Sequence, residues 1–109
     1  MSLLSVYCVF ADAEEAERIG RLVIEERLAA CINILGPCRS IYAWEGAIED
    51  SREVPAVLKT SASAIDTLIA RLAQLHSYDV PAITAWPVAH AFEPYAAWVA
   101  ASTEQERDA

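Results

Sequence analysis

The spacing of apolar and polar positions changes several times along the chain, and each change marks an element. Ser2 to Ala11 is mostly apolar, with Val6, Tyr7, Val9 and Phe10, and has the make-up of a buried strand. Asp12 then offers an N-cap with Glu15 three residues on, and the period becomes helical to about Glu26. Ala16, Ile19, Leu22 and Val23 form the inner stripe, while Glu14, Glu17, Arg18, Arg21 and Glu25 face water. Leu28 to Leu35 returns to strand character. Ile32 and Ile34 share the face suited to a core, and Cys31, Asn33 and Leu35 share the other. Gly36-Pro37 interrupts the ladder, and Ile41 to Trp44 resumes it with Tyr42 and Trp44 on one face. Glu45-Gly46 is the turn of a hairpin whose return arm is Ala47 to Thr60. Val54, Ala56, Leu58 and Thr60 align on that arm, Pro55 is expected at an edge or bulge, and Glu49 to Glu53 forms a charged, solvent-facing tip.

Ser61 or Ser63 is placed to cap a second helix, in which Ile65, Leu68, Ile69, Leu72 and Leu75 recur at helical spacing. That helix ends near His76-Ser77, and Tyr78 to Pro81 is a connector. Ala82 to Val88 is a last major strand, interrupted by Pro87. Pro94 opens a short helix with Tyr95, Trp98 and Val99 on one stripe, and Thr103 to Ala109 is a polar tail expected to fray. Strand, helix, strand, strand, helix, strand is the ferredoxin-like βαββαβ order. The expected class is α+β: one domain over 1–109, an antiparallel sheet with helices on one face, and a short C-terminal helix.

Composition adds a surplus. The 109 residues are 55% hydrophobic, more than a domain of this size buries within itself, so apolar surface is expected at a subunit interface. Asn33, Ile34, Tyr42 and Trp44 are the residues placed there. A net charge of −8 argues against nucleic acid and against anionic membrane surfaces as partners. Cys8, Cys31 and Cys38 make no CxxC pair and fit reduced thiols in a cytoplasmic protein. The N-terminal apolar run lacks a preceding basic residue and is short for an export signal, and no segment is long enough to span a membrane.

Several stretches together resemble the CutA divalent-cation-tolerance family. They are LAACINIL at 28–35, SIYAWEG at 40–46, VLKTS at 57–61, His76-x-Tyr78-x-x-Pro81, and WPVAHAFEPYAAWV at 86–99. They fall in the family's order and cover almost the whole chain. The resemblance implies a compact, very stable homotrimer of ferredoxin-like subunits, whose long hairpin reaches a neighbouring sheet. The architecture is similar to that of PII signalling proteins, which bind small ligands between subunits. It also implies a role in tolerance of copper and other divalent metals. The chain departs from the family pattern at Ser77, where proline is common, at Ala82, where glutamate is common, and at Ala91, where glycine is usual.

The candidate chemistry is correspondingly sparse. A Cys31 thiolate would suit Cu(I) or Zn(II), and His76 and His90 could each add an imidazole nitrogen. Trp44, Lys59 and Tyr78 are the candidates for an intersubunit cleft holding a small anionic ligand, Lys59 as the anchor. Lys59 could instead pair with a carboxylate such as Glu45 of a neighbour. No nucleophile elbow, phosphate loop, HExxH or paired catalytic carboxylates occur, so an enzyme is not expected. The expectation is therefore a homotrimeric metal-tolerance protein that binds copper or another divalent metal ion. The alternative is a PII-like binding module.

Overall fold

The computed structural model describes residues 2–105. Its elements follow in the order β1 (Leu3–Phe10), α1 (Ala13–Glu25), β2 (Cys31–Ile34), β3 (Cys38–Trp44), β4 (Ala47–Ser61), α2 (Ile65–Leu75), β5 (Ile83–Pro87) and α3 (Glu93–Ser102). The main sheet runs β2-β4-β1-β5 with every pair antiparallel, which is the α+β ferredoxin-like arrangement expected. β4 is 15 residues long and carries two partners end to end. Its Ala56–Lys59 segment pairs with β2, and its Ala47–Glu53 segment pairs with β3. Gly36-Pro37 is the break that separates them. Beyond Phe10, opposite Val54, β1 no longer accompanies β4. The β3–β4 hairpin thus leaves the sheet as an arm, and the longest dimension is 49 Å.

The two sheet faces are covered differently. Val6, Cys8 and Phe10 of β1 alternate onto the same face as Val54, Ala56 and Leu58 of β4. There they pack with Ala16, Ile19 and Val23 of α1 and Leu68 and Leu72 of α2. α1 comes so close to β2 that a Cβ on Gly20 would stand 2.8 Å from Ile32 Cδ1. α3 lies on the opposite face, where Val99 packs with Leu3 and Ala30, flanked by Tyr95, Ala96 and Val88.

Local chemistry explains the element ends. Asp12 Oδ1 accepts from the Glu15 N–H at 2.8 Å, as expected of the N-cap. At the far end, the Arg27 N–H donates to the Ile24 carbonyl and the Leu28 N–H to the Val23 carbonyl, with Arg27 at φ 63°. This is a Schellman ending with arginine where glycine is usual. α2 departs from expectation: Ala64 occupies its N-cap and gives no side-chain cap. Ser61 is instead 2.7 Å from the Thr103 hydroxyl, which donates to the Val99 carbonyl.

The C-terminal tail also begins later than expected, because Thr103 is fully buried. Arg27 donates to the Ala101 and Glu104 carbonyls, and Gln105 donates to the Arg27 carbonyl. The rest of the expected frayed tail, 106–109, lies outside the described residues.

Pro55 is neither at an edge nor at a bulge. It sits in central β4 opposite Val9, whose N–H turns away to the Ala82 carbonyl. The Pro55 carbonyl accepts from Leu35 at 3.0 Å, so its missing donor falls where Gly36-Pro37 ends that ladder anyway.

Candidate functional site

The site is built outward from the end of α2. His76 caps that helix and is buried, stacked on Phe10 with ring centroids 5.3 Å apart. Its Nδ1 accepts from the Tyr78 N–H at 3.0 Å, which assigns the proton to Nε2, 2.8 Å from the Val9 carbonyl. Glu15 stands beside it, with Oε1 3.8 Å from His76 Nε2. The Glu15 carboxylate accepts from the Ala11 and Ser77 N–H groups, each at 3.0 Å. Burial would raise the Glu15 carboxyl. The hydrogen bonds from Ser77 and Ala11 and the neighbouring imidazole outweigh it and hold the group below its ordinary value.

Tyr78 carries the chain of contacts onward to the arm. Its hydroxyl donates to Glu53 Oε2 at 2.8 Å. Burial, reinforced by Glu53, pushes the Tyr78 phenol well above its ordinary value, so it remains a donor. Glu53 is 7% exposed, which corrects its expected place on a solvent-facing tip. Between arm and connector lies a cleft of about 610 Å³. Tyr42, Trp44, Tyr78 and Glu53 line it together with Asp79, while Val9, Ile41, Val80 and Ala82 give it apolar walls. The Glu45-Gly46 turn that closes the arm has both residues at positive φ, 49° and 80°, the type I′ form.

The sequence-predicted residues are thereby sorted. Trp44, Tyr78 and Lys59 are the residues expected in a cleft between subunits; within one protomer, Trp44, Tyr78 and Tyr42 line the space beside the arm, and Lys59 lies elsewhere. It lies in the main sheet between Ser5 and Cys31, and β4 separates it from the hairpin tip by about 40 Å at strand rise. Within one protomer it therefore cannot reach Glu45.

Cys31, His76 and His90 are not brought together. Cys31 is half-buried on the α3 side of β2, its Sγ 3.3 Å from the Tyr95 hydroxyl. Burial and this thiol push the Tyr95 phenol up to about 12. His76 packs on the α1/α2 side with Nε2–H donating to Val9 and its one lone pair, on Nδ1, taken by the Tyr78 N–H, so it offers no open nitrogen to a metal. His90 is exposed in the β5–α3 loop. Among the described residues no three His, Cys, Asp or Glu side chains gather around a common point. Cys8, deep in the core, has its thiol pushed up to about 12 by burial and by Glu15. Asn33 and Ile34 are both exposed, on opposite faces of the edge strand β2.

Sequence reasoning missed Glu53 and Asp79. Glu53 falls in a run of charged residues, and nothing local distinguishes the carboxylate that Tyr78 will cover from its neighbours.

The profile described as CutA1 divalent ion tolerance protein matches residues 4–102. The divalent-cation tolerance protein CutA of Pyrococcus horikoshii is 41% identical over 103 residues, covering 94% of this chain and 100% of that protein. The crystal structure of CutA from Xylella fastidiosa superposes with a TM-score of 0.92 at 32% identity, covering 95% of this chain and 100% of the other. Human protein CutA is 36% identical over 107 residues; this chain covers 60% of its length. Compartments differ among relatives: the Arabidopsis thaliana protein is named chloroplastic, and a structure from Archaeoglobus fulgidus is described as periplasmic. The Pyrococcus horikoshii and Archaeoglobus fulgidus proteins are named as divalent-cation tolerance proteins, and none of these names specifies a reaction. A profile match over nearly the full chain, joined to this identity and this fold, makes the chain a member of the CutA1 divalent ion tolerance family.

Proposed function

We propose that the protein acts in divalent-cation tolerance as a cytoplasmic homotrimer that takes up copper or another divalent metal as cargo rather than as a resident cofactor. The observation that carries this reading is the apolar surface of the single protomer. Ile41 is 63% exposed and Ile48 76% on the projecting arm, and Ile34 and Trp86 are exposed on the outer strands. Large apolar side chains exposed on an arm outside its own core favour a neighbouring subunit over water.

The donor set of one protomer does not fit a closed metal centre. Cys31 supplies a soft thiol, His76 is committed to Val9 and Tyr78, and His90 stands apart. Metal uptake through Cys31 would be weak and would draw its remaining ligands from solvent or another protomer. The test is native mass spectrometry of reduced protein with one equivalent of Cu(I), Cu(II) or Zn(II). A trimer with a fixed metal count that Cys31→Ser abolishes is expected. Unchanged uptake in Cys31→Ser would remove Cys31 from the reading, and a monomer would remove the assembly.

The cleft favours a second reading, a PII-like module for a small ligand. Within one protomer the lining is acidic, so the small anionic ligand expected would need Lys59 supplied by a neighbouring protomer.

A further inference from the structure

We propose that His76 is a pH-sensitive latch: a proton taken up on its second ring nitrogen expels the Tyr78 N–H and releases the connector 77–81, and with it the tether on the hairpin arm. Every contact involved lies within one protomer. The imidazole is fully buried, and its two nitrogens have opposite tasks. Nε2–H donates to the Val9 carbonyl at 2.8 Å, and Nδ1 accepts from the Tyr78 N–H at 3.0 Å. Only the neutral ring does both, because an imidazolium is a donor at each nitrogen. The arriving proton therefore lands on Nδ1 and faces another N–H.

The surroundings hold the new charge in place while the connector gives way. Glu15 Oε1, from α1, stands 3.8 Å from Nε2 and is a counter-ion for the imidazolium. Burial opposes ionisation of Glu15, but the hydrogen bonds from Ser77 and Ala11 keep its carboxyl below the ordinary value, so it is still charged where an imidazole titrates. Phe10 of β1 stacks on the ring at 5.3 Å and Tyr78 tilts over it at 4.7 Å, and aromatic faces attract a cation. The other titratable groups of the surrounding elements are Cys8 of β1, a neutral core thiol near Glu15; Glu53 and Tyr42 of the arm strands, which act on Tyr78; Asp79, which lines the cleft; and Arg71 of α2, paired with Glu26. Among the described residues the one group on Nδ1 is the Tyr78 N–H. The connector has no ladder of its own, and its remaining holds are Ser77 N–H on Glu15 and the Tyr78 hydroxyl on Glu53. Acid thereby loosens the root of the arm.

The experiment is nitrogen-resolved NMR of the intact, isotope-labelled protein from about pH 8 down to about pH 4.5. The chain has two histidines, and His90→Gln tells their ring signals apart. At the upper end the His76 ring should show the Nε2–H tautomer. As it takes up the second proton, hydrogen-exchange protection of the Tyr78 amide, corrected for its intrinsic pH dependence, should fall at least about tenfold with the same midpoint, while amides of the β1–β4 ladder keep theirs. His76→Asn retains an acceptor for the Tyr78 N–H and cannot titrate, so its Tyr78 amide should stay protected throughout. Glu15→Gln removes the counter-ion and should move both midpoints down by about one pH unit or more. If His76→Asn does not fold, this joint displacement carries the test. A His76 ring that stays neutral in folded protein, a second proton that leaves Tyr78 protected, an equal loss of protection in His76→Asn, or midpoints that Glu15→Gln leaves in place would each overturn the latch.

Discussion

Replacing Glu15 with alanine should destabilise the protein far more than a surface glutamate would. The side chain is 6% exposed and its carboxylate holds two backbone N–H groups from different parts of the chain, Ala11 at the end of β1 and Ser77 after α2. Hydrogen bonds to a charged group contribute roughly 1.5–3 kcal/mol each, and alanine leaves both donors without this acceptor. Allowing for partial rescue by water, the expected cost is about 2–4 kcal/mol. Glu15→Gln keeps one oxygen and loses the charge, and should cost about half as much.

The pH dependence has a definite sign. The folded carboxyl lies below its ordinary value of 4.5, so its contribution is complete above that value and is lost as pH falls through the lower folded value. The gap between wild type and Glu15→Ala should therefore shrink on acidification from pH 5 toward about pH 2. Urea unfolding at fixed protomer concentration, read by circular dichroism at several pH values, measures both quantities. A Glu15→Ala cost within about 0.5 kcal/mol of zero, or a gap that does not change with pH, would refute the reasoning.

Other perturbations test the packing and the arm. Gly20→Ala gains helix propensity but forces a Cβ to within 2.8 Å of Ile32 Cδ1, so a net loss of about 1 kcal/mol is expected. Ile32→Val in the same chain should recover part of it, and strictly additive unfolding energies would contradict the contact. Glu45→Asn, at a φ of 49° that asparagine tolerates better, should raise stability by about 0.5–1 kcal/mol in the same assay; a loss would argue against the type I′ turn.

The framework of the fold was legible in periodicity because the core-facing residues obey it. Val6, Cys8 and Phe10 alternate, and Ile19, Val23, Leu68 and Leu72 recur at helical spacing, with the Asp12 cap where the pattern changes. The side of the sheet taken by α3 was less legible. Tyr95, Trp98 and Val99 announce a packed stripe but not its partner, and only the odd parity of Leu3 in β1 shows which face receives it. Pro55 misled because proline in a strand suggests an edge, while the break at Gly36-Pro37 already removes the ladder partner it lacks. In the cleft, the aromatics were visible as candidates, but their acidic companions were not. Burial of Glu53 depends on Tyr78, 25 residues away, and no local pattern encodes that meeting.

That meeting gives the cleft its rigidity. A connector of the sequence Ser-Tyr-Asp-Val-Pro would ordinarily be mobile, since it has no ladder of its own. Here it is held at successive points: Ser77 N–H on Glu15, Tyr78 N–H on His76, and Tyr78 hydroxyl on Glu53. The first two anchors belong to buried residues of the helical layer, and the third reaches across to the arm. The arm has no helix beneath it and pairs only with its own return strand, so Tyr78–Glu53 is a tether between its base and the domain core. Cutting the tether with Tyr78→Phe would leave the buried Glu53 carboxylate without its donor, at a cost of roughly 1–3 kcal/mol. Within the protomer, the path of the arm toward Trp44 depends on the β3–β4 ribbon and on this contact at its root.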